Sequence, residues 1–318
     1  MDKHQLTDLI AELRRFRGLT RKSALGGILD ILNETSYDDA GFFEVDTSDI
    51  KVVVSCDGIV ENLVESNPLL AGYYSVLANV NDVIAKGAKP VGFVNIISSS
   101  SDEVRRKVSE GIKNGLKKYK LKLLKGHTHP DTSYSAVDAM VIGIAKHVLP
   151  STTAKANDSL VMAVDLDGKF GSKSWLTTFD STTMKSSREV LDRLSSMVKL
   201  AERRFANAAR DISGSGITGT IAMLCESSQV GAKVNLESIP KPLSVEVADW
   251  LTTYPGMGFI ISTKQPLECL QLLRKNKLVA EIIGEITGDK RIWLSYGEQR
   301  ALFFDLKNES VFGVNRSK

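Results

Sequence analysis

Hydrophobic positions recur most regularly between residues 66 and 90, SNPLLAGYYSVLANVNDVIAKGAKP. Leu69, Tyr73, Val76, Leu77, Val80, Val83 and Ile84 fall at the spacing of one helix face, which predicts a buried stripe. Pro68 suits the first turn of that helix, and Gly87 with Pro90 stops it. A polar stripe runs beside the apolar one: Ser75, Asn79, Asp82 and Lys86, stacked on one side of the same helix. Such a stripe is either a solvated face or the wall of a site. Lys86, one turn beyond Asp82, can be a solvated residue in either case.

The pattern before this helix predicts helices over 3–16 and 20–32 broken at Gly18, a polar loop NETSYDD, a strand at 40–45 and a buried strand KVVVSCDG that ends in an acid and a glycine. After it come a strand at 91–98 and a helix capped by Asp102 and running to about Tyr119, with Val104, Val108, Ile112 and Leu116 on its apolar face. A strand at 121–125, the polar loop GHTHPDTSYS and a strand at 136–147 complete the first half. The segment 149–158 is polar, holds a proline and has no periodicity, so it predicts a boundary between a domain at 1–150 and one at 151–318.

The second half opens with a strand at 159–166 and a Gly/Lys/Ser loop. A long helix over roughly 186–209 follows, then the glycine-rich turn ARDISGSGITG and a helix at 219–227. Shorter strands and helices alternate to the end without a βαβ repeat, which predicts an α+β fold rather than a doubly wound sheet.

A length of 318 residues favours two domains, and a formal charge of +3, with no long Lys/Arg run, gives no support for nucleic-acid binding. The three cysteines, Cys56, Cys225 and Cys269, are far apart and lack metal spacing, as in a reducing, cytoplasmic setting. No apolar stretch is long enough to span a bilayer, and the amphipathic N-terminus has no apolar signal core.

Acids cluster at the ends of apolar elements: Asp38 and Asp39 before a strand, Asp57 at the end of one, Asp82 on the helix and Asp131 in a loop. Carboxylates held rigidly near a core repel one another unless a cation lies between them, and an all-oxygen set suits Mg²⁺. Each alone is also an ordinary turn or cap residue. His127, His129 and Asp131 match the start of a His-x-His-x-Asp-His zinc pattern, but Thr132 stands where the next His belongs and the chain has only four histidines. A mononuclear zinc site remains open there; the other reading is a polar loop, including Thr128, that contacts phosphate or substrate. The stretches GKFGSKS and DISGSG resemble phosphate turns in composition, and each can also be a plain tight turn. There is no Gly-x-Ser-x-Gly elbow, and no Gly-x-Gly-x-x-Gly is expected to follow a strand, since the one at Gly214 to Gly219 lies in the stretch read as a glycine-rich turn.

The order of these motifs resembles a superfamily: AIR synthetase, thiamine-monophosphate kinase, selenophosphate synthetase and the hydrogenase maturation protein HypE, with the PurM-like fold. The resemblance rests on Asp38-Asp39-Ala40, Asp57-Gly58, Asn79 and Asp82 with Gly87 and Pro90, and Gly126 with Asp131 and Thr132. It continues through Asp211 to Gly216, Tyr254 to Phe259 and Ile283 to Glu285, nearly the whole chain in order. DGIVENLVESNPLLAGYYSVLANVNDVIAKGAKP and GHTHPDT look most like the AIR synthase-related branch, including the methanogenesis marker 2 type.

The resemblance implies an N-terminal mixed-sheet domain that forms a barrel across a homodimer, and a C-terminal α/β sandwich domain. It implies ATP with Mg²⁺, in some members also K⁺, and transfer of a phosphoryl group to a small-molecule acceptor. This would be kinase, transferase or ligase-like chemistry, with a non-catalytic nucleotide-binding role as the alternative. By position, Asp38 or Asp39, Asp57, Asp82 and Asp131 become metal–ATP ligands, and Asn79 a nucleotide or helix-packing contact. Lys22 lies in a segment that in relatives can close over phosphates, and His127, Thr128 and Thr132 lie beside Asp131. Asp211, Ser213 and Gly214 fall on the acceptor side, with Asp82 and Asp211 in catalytic roles. The chain departs from family members in four ways: a stretched GHTHPDT, Gly214 where thiamine-monophosphate kinases carry a second Asp, no N-terminal reactive cysteine of the selenophosphate synthetase type, and no C-terminal cysteine of the HypE type in VNRSK.

Overall fold

The computed structural model describes residues 1–32, 34, 37–46, 48–171 and 176–314. The chain forms two compact bodies, one from residues 39–148 and 185–202, the other from 1–38, 149–184 and 203–318. The first 38 residues thus pack with the second half of the sequence, and part of the long helix of the second half packs with the first.

The 39–148 body holds strands β1 (Gly41–Glu44), β2 (Lys51–Gly58), β3 (Lys89–Ser98), β4 (Lys122–His129) and β5 (Ala136–Ala145) in one sheet of order β1-β2-β5-β3-β4. The pair β3/β4 is parallel and the others are antiparallel, so the sheet is mixed. Its helices are α4 (Glu61–Ser66), α5 (Pro68–Ala85) and α6 (Asp102–Tyr119). Period-2 side chains on β2, β3 and β5 put Val53, Phe93, Val137 and Val141 into the core on one face. The opposite face carries Phe43, Cys56, Ile96 and Ile144, all exposed.

The other body begins with α1 (Lys3–Arg15), α2 (Arg17–Thr20) and α3 (Leu25–Leu32). The first break falls at Phe16, and Gly18 lies inside α2 instead of ending a helix. Strands β6 (Ser159–Val164), β9 (Ala208–Asp211), β10 (Gly231–Asn235), β12 (Gly258–Thr263), β13 (Val279–Thr287), β14 (Arg291–Tyr296) and β15 (Gln299–Asp305) build a sheet of order β15-β14-β10-β13-β6-β12-β9. A small sheet joins β7 (Lys169–Phe170), β8 (Thr178–Asp180) and β11 (Tyr254–Pro255). Helices α8 (Gly216–Ser227), α9 (Val247–Leu251) and α10 (Pro266–Lys275) belong here, whereas α7 (Ser187–Arg203) lies mostly in the first body. One core joins α1 (Leu6, Leu9, Ile10, Leu13) to α8 (Ile217, Ile221, Leu224) and to the strands through Met162, Ile260 and Phe303.

Four local expectations change. GHTH is the end of β4 rather than a loop, and ARD forms β9 rather than a turn. Ser101, not Asp102, caps α6, its hydroxyl accepting from Val104 N at 3.3 Å. The GKFGSKS stretch runs from β7 towards β8, not into a helix, and its residues 172–174 lie outside the described ones.

A buried row of polar side chains is the candidate functional site

Helix α5 starts where Asn67 accepts from Leu70 N at 3.1 Å and Pro68 presets the first turn. It ends at Gly87, whose φ of +74° and contact with Ala201 leave no room for a side chain. Two glycines bring α6 onto it without intervening side chains. A Cβ at Gly72 would lie 2.0 Å from Val108 O, and one at Gly111 2.0 Å from Leu69 O. With α6 on one side and the sheet on the other, α5 is buried nearly all round. Ser75, Asn79, Asp82 and Lys86, the polar stripe, are all buried. Lys86 is therefore not solvated; its side chain is 0 % exposed.

Asn79 fixes the frame. Its Oδ1 accepts from Ser55 Oγ (2.8 Å) and Asp57 N (3.0 Å), and its Nδ2 donates to Ser75 O (2.9 Å) and Asp57 O (3.4 Å). Strand β1 pairs with β2 only as far as Val54, so the main chain of Asp57 has an open edge there. The Asn79 amide fills that edge as a neighbouring strand would, donating to and accepting from the same residue. All four of its hydrogen-bonding positions are spent inside the fold, which favours the packing role over a nucleotide contact. The single Ser55 hydroxyl proton has two acceptors in reach, Asn79 Oδ1 and, closer at 2.6 Å, Asp82 Oδ2. A charge-assisted bond of that length holds the carboxylate in one orientation.

The adjacent acids Asp38 and Asp39 take different work. Asp38 Oδ2 accepts from Ser151 N at 2.8 Å, while Tyr37 O accepts from Arg210 Nη1 and Ser227 Oγ, so 37–38 are anchored in the 1–38 body. In the other body, Asp39 Oδ2 lies 3.2 Å from Lys86 Nζ, with both side chains enclosed. The Asp39 and Asp82 carboxylates present oxygens within 4.8 Å of one another. Mg–O bonds of about 2.1 Å put opposite ligands of an octahedron roughly 4.2 Å apart, so a pair within 4.8 Å would close by at most ~0.6 Å to share one Mg²⁺. Among the described residues of this body, neither Asp57 nor Asp131 joins the pair at that spacing.

The remaining candidates are spread. His127, Thr128 and His129 are exposed on β4, the two imidazoles edge to face at 4.7 Å, and no third metal ligand gathers with them among the described residues. Asp131 is exposed in the following turn, and Thr132 Oγ1 donates to Tyr134 O. In the 1–38 body, Lys22 Nζ lies 5.8 Å from the centre of the Tyr37 ring. Asp211 is buried at the end of β9. Gly18 lies against Gly214 O, where a Cβ would approach to 1.9 Å. Ser213 and Ser215 share a hydroxyl bond of 3.2 Å, and Ser215 reaches Thr220 instead of capping α8. That leaves main-chain N–H groups at the start of α8 without a side-chain cap.

The sequence of residues 37–145 matches the N-terminal domain of the AIR synthase related proteins, and residues 159–297 match their C-terminal domain. The chain belongs to this family. An uncharacterized protein of Methanocaldococcus jannaschii is 36% identical over 322 residues, covering 97% of this chain and 99% of its own. Thiamine-monophosphate kinase of Pyrococcus abyssi is 26% identical over 276 residues, covering 82% of this chain and 86% of the kinase. Among solved structures, T. maritima PurL complexed with AMPPCP superposes with a TM-score of 0.75 at 15% identity over 93% of this chain. The chain spans about half of that protein, 51%. The PurM-like two-domain α+β fold and the superfamily read from the motif order both hold for this AIR synthase related protein. No helix among the described residues is long and apolar enough to cross a membrane.

Three residues escaped the sequence reading. Ser55 sits in a run that reads only as buried strand, and its role shows once α5 lies over it. Lys86 lay on the polar stripe but gave no sign of its partner. Asp138 on β5 lies opposite Gly58 and fills the space where a Gly58 side chain would stand. Burial, then the charges of Asp57 and Asp138, push the Cys56 thiol above its ordinary pKa.

Proposed function

We propose that this AIR synthase related protein transfers a phosphoryl group from ATP to a small-molecule acceptor, with Mg²⁺ held by Asp39 and Asp82. The observation that carries this reading is the pair of buried carboxylates within 4.8 Å of one another. Each has its own support, Lys86 at Asp39 and Ser55 at Asp82. Two buried acids at that distance are unfavourable without a cation, and rigid placement is what phosphoryl transfer needs from a protein. Bound Mg²⁺ would neutralise phosphate charge. Asn79 holds the end of β2 to α5, so Ser55 and Asp82 keep their spacing as ligands come and go. The name of the kinase relative and the nucleotide analogue in the PurL complex support ATP as the donor. Asp57, Asp131, His127, Thr128 and Thr132 remain proposed contacts to nucleotide or metal, and Asp211, Ser213 and Gly214 to the acceptor. The open sheet face with Phe43, Ile96 and Ile144 supports a homodimer. The three free cysteines support a cytoplasmic setting.

The test is thermal melting of wild type and Asp82→Asn with ATP, ADP and AMPPCP, each with and without Mg²⁺, followed by a phosphate-transfer screen. Wild type is expected to gain a Mg²⁺-dependent nucleotide shift. Asp82→Asn keeps the Ser55 bond and relieves repulsion, so its own melting point holds while that shift disappears. No nucleotide shift in wild type refutes the reading; a shift without transfer to any acceptor leaves a nucleotide-binding protein.

A further inference from the structure

GHTH ends strand β4 instead of forming the loop that its polarity predicts, so the backbone holds its two histidines in fixed register. His127 lies opposite Ile96 of β3, and His129 opposite Ser98. Residues two apart on a strand share a face and sit about 6.4–6.8 Å from each other along it. The two ring centres are only 4.7 Å apart, so the side chains lean together. Both are exposed, and among the described residues neither ring nitrogen has a hydrogen-bond or ion-pair partner. Aromatic attraction accounts for an edge-to-face contact by itself. The spacing also suits a shared ion. Zn–N bonds of about 2.0–2.1 Å put each ring centre about 3.2 Å from the metal, so two imidazoles on one tetrahedral ion have centres about 5 Å apart. The pair at 4.7 Å is already close to that.

The geometry points to an open transition-metal site, in which His127 and His129 chelate one ion of the Zn²⁺ class. A pair of imidazole nitrogens favours zinc, nickel or copper over magnesium. Two rings fill half of a tetrahedral shell, and the other positions go to water or to an oxygen of an anionic ligand. Open positions belong to sites with exchangeable ligands, whereas structural zinc sites are closed. Neither ring has an outer partner to fix its tautomer, which keeps the ion exchangeable too. This site is separate from Mg²⁺ at Asp39 and Asp82, whose ligands are oxygens. It lies on the sheet face proposed to pair in the homodimer, on the edge strand of that sheet.

The experiment uses the full, untagged chain as wild type, His127→Ala, His129→Ala and the double variant, stripped of metal and kept in the oligomeric state in which it is purified. Zn²⁺ is titrated by calorimetry at neutral pH with Mg²⁺ present, and imidazole signals are followed by NMR. Wild type is expected to take one ion per chain, moving the His127 and His129 signals and leaving those of His4 and His147 in place. Each single variant should lose ~10-fold or more in affinity, nearly as much as the double variant, because a chelate broken at one end is lost. Metal-free melting points should match wild type, since both side chains are exposed. No uptake by wild type overturns the proposal. So do single variants that keep the affinity and lose only part of the capacity, which shows independent surface histidines, and so does uptake that moves His4 or His147 instead. Asp82→Asn should bind Zn²⁺ as wild type does; if it loses zinc while His127→Ala keeps it, the acids hold the ion and the histidines do not. Zinc uptake without a Mg²⁺-dependent nucleotide shift upholds this site and removes the proposed function alone.

Discussion

Replacing Asn79 by alanine tests the frame that places Asp82. The substitution removes three hydrogen bonds, and the share of the Ser55 hydroxyl proton that Asn79 takes, from a residue that is fully buried. They do not count equally. Ser55 keeps Asp82 as an acceptor, and Ser75 O keeps its place in the helix ladder. Asp57 N and Asp57 O are left against an open strand edge. Loss of the Asn79 partner costs each of these two partly buried main-chain groups about 1–3 kcal/mol, so a total of about 2–6 kcal/mol is expected. Because two compact bodies need not unfold together, hydrogen exchange at Asp57 is a cleaner assay than a global melt. A local loss of ~2.8 kcal/mol speeds exchange there about 100-fold. Asn79→Asp supplies the control. It keeps the shape and the Oδ1 acceptor but turns the donor into an oxygen facing Asp57 O and Ser75 O, and adds charge near Asp82. It must therefore be worse than alanine. If Asp57 exchanges no faster in Asn79→Ala, or if Asn79→Asp is the milder change, the amide is not the strand surrogate described.

Three further outcomes follow from other parts of the fold. Gly111→Ala drives a methyl group into Leu69 O and should destabilise by about 3 kcal/mol or more, whereas Gly27→Ala, on α3 with open space around it, should stabilise by ~0.5–1 kcal/mol; melting curves of the two give opposite signs. Glu226 is buried and accepts from Ser310 Oγ and from the main-chain N–H of Val311 and Phe312, so Glu226→Ala should cost about 3–5 kcal/mol and expose the 310–314 segment to limited proteolysis. Burial holds Cys225 well above the usual thiol range and pushes Cys269 up to about 12, leaving Cys56, on the sheet face proposed to pair in the homodimer, as the thiol that iodoacetamide reaches in the dissociated folded chain. Because the Cys56 pKa is raised, its thiolate is scarcer at neutral pH, and labelling should be slower than that of a free thiol and still rising above pH 9; a rate that levels off below pH 8 contradicts this.

Strong periodicity made α5 and α6 legible, since each has an apolar face that must be buried against something. The α+β class followed from the irregular alternation of strands and helices. What could not be read was which polar residues the packing would enclose. Lys86 reads as solvated because a lysine on a helix usually is; in the fold it is enclosed and paired with Asp39, 47 positions earlier in the chain. Asp38 and Asp39 are indistinguishable in sequence, and their separation depends on Ser151 and Lys86, both distant in the chain. GHTH looked like a loop because β4 is an edge strand exposed along its whole length, so no buried residue marks its period. The strand at Ala208–Asp211 was hidden for the opposite reason: its Arg210 and Asp211 are buried, against the habit of those residues.

The glycine contacts between α5 and α6 have a mechanical consequence. Helices separated by a layer of side chains can slide as rotamers readjust. Here, main chain lies against main chain at Gly72 and Gly111, and side chains such as Val76 under Gly115 and Tyr73 beside Tyr119 fill only the rest of the contact, so little of it can shear. The two helices form one stiff lever, with Asp82 and Lys86 near one end and the charged outer surface of α6 along its length. A force applied to that surface is transmitted to the acids as displacement of the whole lever, not absorbed as side-chain repacking along the way.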